Sequence, residues 1–139
     1  MGKKDVYRFW ALMDMADEGV SVHFPDLPGC LTAGDTAEEA HIAAREALEG
    51  FLYVMEQDGD VIPEPSPLDA ILRQADPGEY PCEVTVWMPA IRDAMESKAV
   101  KKTLTVPKWL NDEAERKNLN FSQVLQAGLK EALGIENRK

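Results

Sequence analysis

Only two cysteines, Cys30 and Cys82, occur in the 139 residues, and neither sits in a CxxC pair or beside a histidine cluster. A disulfide framework and a thiolate metal site are both disfavoured, so the two read as structural thiols with no chemical role. Histidine is as scarce. His23 and His41 have no matching second member at the spacing of a metal site or a catalytic triad, and they read as solvated or locally bonded side chains. No uncharged apolar run approaches the ~18 residues of a membrane helix. The strongest apolar stretch, 84–91, is short and contains Pro89. The N-terminal Lys3 and Lys4 are not followed by an apolar segment, because Asp14, Asp17 and Glu18 come too soon for a signal peptide. A cytoplasmic protein without membrane contact is expected.

Positive charge is the other thing missing, and only locally. Residues 1–95 hold six bases (Lys3, Lys4, Arg8, Arg45, Arg73, Arg92) against 19 acids, a net −13, whereas residues 96–139 hold nine bases against six acids, a net +3. The overall pI near 4.6 therefore hides a basic tail. Exposed charges farther apart than about 8–10 Å are screened at cellular salt, so the local charge is what a phosphate meets and the tail can bind nucleic acid. With 45% hydrophobic and 29% charged residues, the chain has the composition of an ordinary folded protein.

Periodicity sets out the elements. Tyr7, Phe9, Ala11 and Met13 alternate, Val20, Val22 and Phe24 alternate again, and Asp17-Glu18-Gly19 lies between them, which predicts a hairpin. The segment FPDLPGC (24–30) breaks the chain before a short third strand at 30–33. Asp35 or Thr36 then caps a long helix with Glu38 and Glu39 in its first turn. Its apolar stripe is Ala40, Ala43, Ala44, Ala47, Leu48, Phe51, Leu52 and Met55, and Gly59 ends it. Phe51 and Met55 read as core, with Arg45 and Glu49 on the wet side. Three prolines make 63–67 extended, a short helix follows at 68–74, and 83–88 alternates as a strand closed by Pro89. Residues 91–99 read as a linker, partly helical.

The last forty residues change character. Residues 100–106 alternate, Pro107 opens a short helix carrying Trp109, Leu110 and Ala114 inward, and Asn120 with Gln123 resembles a capping box for a second helix ending at Gly134. A strand and two helices this small cannot bury their own apolar stripe. Pairing the strand with a two-fold copy would give a ribbon over four helices, with Leu104 and Val106 inward and Lys101, Thr103 and Thr105 outward. Lys102 falls at a nominally inward place from which it can snorkel to solvent. Such a ribbon fits the DNA major groove.

Residues 100–135 resemble a ribbon-helix-helix DNA-binding domain. FPDLPGC, then GDT (34–36), then the alanine-rich helix resemble the N-terminal domain of HicB-type antitoxins, and VTVWMPA (84–90) resembles the family's usual domain junction. The resemblance implies an α+β fold: an antiparallel sheet with one long helix, partially RNase H-like, over 1–90, then the linker 91–99 and a ribbon-helix-helix dimerisation domain over 100–139. It implies an antitoxin, not an enzyme, that sequesters a HicA-type mRNA ribonuclease toxin and represses its own operon on operator DNA. No cofactor and no metal are implied. Lys101, Thr103 and Thr105 would contact bases, and Asn120, Phe121 and Ser122, at the start of the second helix, would contact phosphate. Asp26, Leu27, Glu38 and Glu39 are expected to face the toxin. The chain would pair with itself through the ribbon, and a sheet edge in the acidic domains could extend the dimer to a tetramer.

Two other classes compete. One is a stand-alone ribbon-helix-helix regulator whose N-terminal domain oligomerises or senses a ligand; a neighbouring open reading frame for a small basic protein would argue against it. The other is a divergent two-metal nuclease using Asp14, Asp17, Glu18, Asp26 and Asp35, but Asp17 and Glu18 fall in a turn, Asp26 between prolines and Asp35 at a helix cap. FPDLPGC reads equally as a partner-binding loop or as a turn forced by its prolines and glycine.

Overall fold

The computed structural model describes residues 3–16 and 18–135, and the turn position Asp17 lies outside them. The fold is α+β. Four strands, β1 (Val6–Ala16), β2 (Gly19–His23), β3 (Leu31–Gly34) and β4 (Glu79–Trp87), form an antiparallel sheet in the order β3-β2-β1-β4. Five helices accompany it among the described residues: α1 (Ala37–Asp58), α2 (Leu68–Gln74), α3 (Met88–Glu96), α4 (Lys108–Arg116) and α5 (Phe121–Leu133). The chain divides into two compact units, Met1–Lys98 and Ala99–Lys139.

In the first unit the alternation of β1 places Tyr7, Phe9, Ala11 and Met13 on the inner face with Val20, Val22, Val84 and Val86. α1 closes that face with Ala40, Ala44, Leu48 and Leu52, all fully buried. The small alanines let the helix lie close. A Cβ on Gly34 would come within 2.5 Å of the Ala40 nitrogen, so only glycine permits that approach. Thr36 caps α1 by accepting from the Glu39 amide, Glu39 accepts in return from the Asp35 amide, and Gly59 closes the other end with φ 73°. Ile71 of α2 and Leu12 of β1 are fully buried but lie apart from this inner-face cluster; Leu12 belongs to the opposite face of β1.

Two expectations change. β4 begins at Glu79, four residues before the expected start at 83, because Pro81 is accommodated on an edge strand whose second side needs no donor. The stretch 91–99, read as a partly helical linker, is helical through Glu96, and Pro89 stands in the first turn of α3 instead of merely ending the strand. Arg92 holds α3 in place. Its Nε and Nη2 donate to the two oxygens of Glu56 at 3.0 and 2.7 Å, Nη2 donates to the Lys4 carbonyl at 2.7 Å, and Asp5 lies 3.5 Å from Nη1. The Glu56 side chain is only 3% exposed.

Among its described residues the second unit has no buried one. Asn120 caps α5 by accepting from the Gln123 amide, and Asn118 takes a left-handed φ of 54° to end α4. Residues 99–107 carry no regular element, where a strand was expected at 100–106. A ladder needs a partner, and nothing in a single chain supplies one.

Candidate functional site

The loop 24–30 is built to hold itself. The Phe24 amide donates to the Cys30 carbonyl, Leu27 to Phe24, and Cys30 to Leu27, each at 3.0 Å. Phe24, Leu27 and Cys30 point into the core. Leu27, expected at the toxin surface, is 1% exposed and is a core residue. Burial pushes the Cys30 thiol up to about 11, in keeping with a structural thiol.

Asp26 also has an internal duty. One carboxylate oxygen accepts from the Ser66 hydroxyl at 2.6 Å and the other from the Ser66 amide at 2.7 Å, which ties the proline segment 63–67 to the loop. Lys4 pairs with Glu64 in the same segment. Glu39 is engaged in the α1 cap, while Glu38 stands exposed beside it. Of the four residues expected to face a toxin, Glu38 is the one with an exposed side chain and no structural task in these contacts.

The histidines and remaining acids do not converge. His23 lies 3.6 Å from Glu79 across the sheet, and His41 Nδ1 lies 3.2 Å from the Cys82 sulfur. Burial also raises the Cys82 thiol. Among the described residues no group of three or more His, Cys, Asp or Glu side chains could hold a metal ion. No described helix is long and apolar enough to cross a membrane.

In the second unit the side chains fall on two faces. Lys102, Leu104 and Val106 line an open cleft with Asn111, Phe121, Ser122, Val124 and Leu125. The cleft is apolar yet uncovered, with Leu104 at 62% exposure and Val124 at 53%. The alternate residues Lys101, Thr103 and Thr105 are exposed as well. Asn120, Phe121 and Ser122 lie together at the start of α5, but Asn120 is occupied as its cap and Phe121 and Ser122 line the cleft. Sequence reading missed Arg92 and Ser66, whose partners Glu56 and Asp26 lie 36 and 40 residues away and leave no local signal.

Residues 10–127 match the family described as HicB_like antitoxin of bacterial toxin-antitoxin system. The chain belongs to that family. An uncharacterized 14.9 kDa protein from the rep-hol intergenic region of Haemophilus phage HP1 is 31% identical over 98 residues, covering 70% of this chain and 71% of that protein. Antitoxin HicB of Escherichia coli K12 is 42% identical over 52 residues, 37% of this chain and 38% of that one. A chain of a toxin-antitoxin complex from Streptococcus pneumoniae shares the fold, with a TM-score of 0.57 at 24% identity over 91% of this chain and 99% of its own. A HicB-like antitoxin is thus assembled here from a self-sufficient acidic unit and a basic unit whose apolar face is open.

Proposed function

We propose that this HicB-like antitoxin sequesters a HicA-type ribonuclease toxin through its acidic first unit and represses its own operon through a dimer of the second, without catalysing a reaction itself. The observation that carries the reading is the division of labour in charge and burial. The first unit has a finished core and a net charge of −13 (seven bases, 20 acids), while the second is net +3 (eight bases, five acids) with Leu104, Val106, Val124 and Leu125 uncovered. A protein that grips RNA needs a basic surface, and the acidic unit offers it a complementary partner while repelling nucleic acid. Covering that surface is sufficient for neutralisation.

In the second unit a two-fold copy would pair residues 100–106 into a ribbon, cover the cleft and complete a ribbon-helix-helix domain. Lys101, Thr103 and Thr105 would then face the major groove together, lysine donating to guanine O6 or N7 and threonine contacting a base edge or a thymine methyl. The amides at the start of α5, near Asn120, Phe121 and Ser122, would approach phosphate. Of the toxin-facing candidates, Glu38 is retained, and Asp26 and Glu39 act by shaping the loop and the helix start beside it.

The test is co-expression with the adjacent open reading frame. A tag on one protein should retain the other through size exclusion, and the complex should lack the RNA cleavage of the free partner. Absence of a complex would leave a stand-alone regulator with an oligomerising or sensing N-terminal unit.

A further inference from the structure

The sheet has two open edges, β3 and β4, and they are protected unequally. β4 carries Pro81, which lacks a donor, and the charged Glu79 and Glu83, devices that discourage strand addition. β3 reads Leu-Thr-Ala-Gly, with neither proline nor charge. The turn before it fixes the phase of its hydrogen bonds. Because the Phe24 amide bonds the Cys30 carbonyl, the pairs Val22↔Thr32 and Val20↔Gly34 exchange the bonds with β2. The pairs His23↔Leu31 and Ser21↔Ala33 do not, so the N–H and C=O groups of Leu31 and Ala33 point away from β2 towards the open edge. The side chains of both are exposed, Leu31 at 67%.

The surroundings select the occupant. Residues 9–44 contain seven acids and not one lysine or arginine. Glu18 and Asp35 line the same shallow depression as Ala33 and Gly34. A second copy of this edge would set acid against acid, whereas an extended segment flanked by lysine or arginine meets opposite charge.

We infer that β3 is the docking edge for a strand of a basic protein partner, which extends the sheet through the main-chain groups of Leu31 and Ala33 while Glu18 and Asp35 select its charge. The inference deepens the toxin reading and rests on it: it names the part of the acidic unit that the toxin grips.

The probe is the co-expressed product of the adjacent open reading frame, bound to the full chain. Ala33→Pro removes an outward N–H and leaves the β2 ladder intact, so affinity should fall at least ten-fold, while Ala33→Ser, which keeps the N–H, should stay within two-fold. Glu18→Lys should weaken the complex and flatten its salt dependence. If Ala33→Pro fails to fold, amide exchange in the unsubstituted proteins decides: the Leu31 and Ala33 amides should slow at least ten-fold on complex formation. Undiminished affinity in a folded Ala33→Pro protein, or unchanged exchange at both amides within a stable complex, overturns the docking edge and leaves the toxin reading standing. A change in the mass of the free chain on Ala33→Pro would identify the edge as a self-interface and overturn it too. If the unsubstituted chain forms no complex, the toxin reading falls and the docking edge with it.

Discussion

The two units differ in how much of their own fold they can finish. In the first, β1 and α1 bury Phe9, Met13, Leu48 and Leu52 completely, and nearly every apolar residue that periodicity places inward is covered. In the second, the same kind of apolar pattern leaves Leu104, Trp109, Val124 and Leu129 more than half exposed. The sequence rules are obeyed equally well in both: caps at Thr36 and Asn120, glycine at Gly59 and Gly134, and an apolar stripe on each long helix. What differs is size. About forty residues cannot enclose a core, and the second unit leaves its apolar face open; the proposed dimer would cover it.

The largest expected effect comes from charging that interface. Leu125→Asp should convert the oligomer to monomer at 10 µM as read by light scattering, while the melting transition of the first unit stays in place; an unchanged mass would detach the open face from self-association. In the proposed dimer each leucine buried at the interface and lost to such a change is expected to cost about 2–5 kcal/mol.

Within the first unit the counterpart is Arg92. Arg92→Ala leaves the Glu56 carboxylate nearly buried without its partner, a loss of about 3–5 kcal/mol in thermal or denaturant unfolding. The Glu56 hydrogen bond holds the Arg92 guanidinium above its ordinary range, so the guanidinium stays charged. Adding Glu56→Gln to Arg92→Ala should recover part of the stability. A double variant no better than the single one would show that the cost is lost packing of α3.

The same pair marks where sequence reading ends. The strands and α1 were legible because alternation, the Thr36 cap and the Gly59 stop are local signals. Arg92 and Glu56 are 36 residues apart, and Asp26 and Ser66 are 40 apart, so no local pattern announces either contact. Pro89 was ambiguous for a physical reason: a proline that ends a strand also suits the first turn of a helix, and here α3 begins across it. Leu27, expected to face the toxin, is instead a core residue, because the loop folds over its own apolar side chains. Residues 100–106 differ again: they alternate like a strand but carry no regular element in the single chain, and the proposed ribbon would need a second copy to pair with.

For DNA, Lys101→Ala or Thr103→Ala should each cost about 1–3 kcal/mol in specific operator binding. Equal losses on operator and random duplex would remove them as base readers, because a phosphate contact weakens all sequences alike. Neither change should alter toxin affinity, which keeps the functions of the two units separable.

The smallest effect tests whether the acidic unit bears a cost for its own charge. Partial burial raises the Glu49 carboxyl above its ordinary value; Arg45 opposes the shift and Glu46 adds to it. A carboxyl with a raised folded-state pKa binds its proton more tightly in the folded protein. Its favourable contribution is therefore fully present below the unfolded-state value and is lost as pH rises through the folded one. At pH 7 the ionised Glu49 is a net burden, so Glu49→Gln should raise the melting temperature of the first unit by about 1 °C, within the small range of surface substitutions. The gain should shrink at pH 3, where Glu49 is already protonated. A gain that persists at pH 3 would assign the effect to packing of the amide, and a loss at pH 7 would mean that attraction to Arg45 outweighs both burial and Glu46.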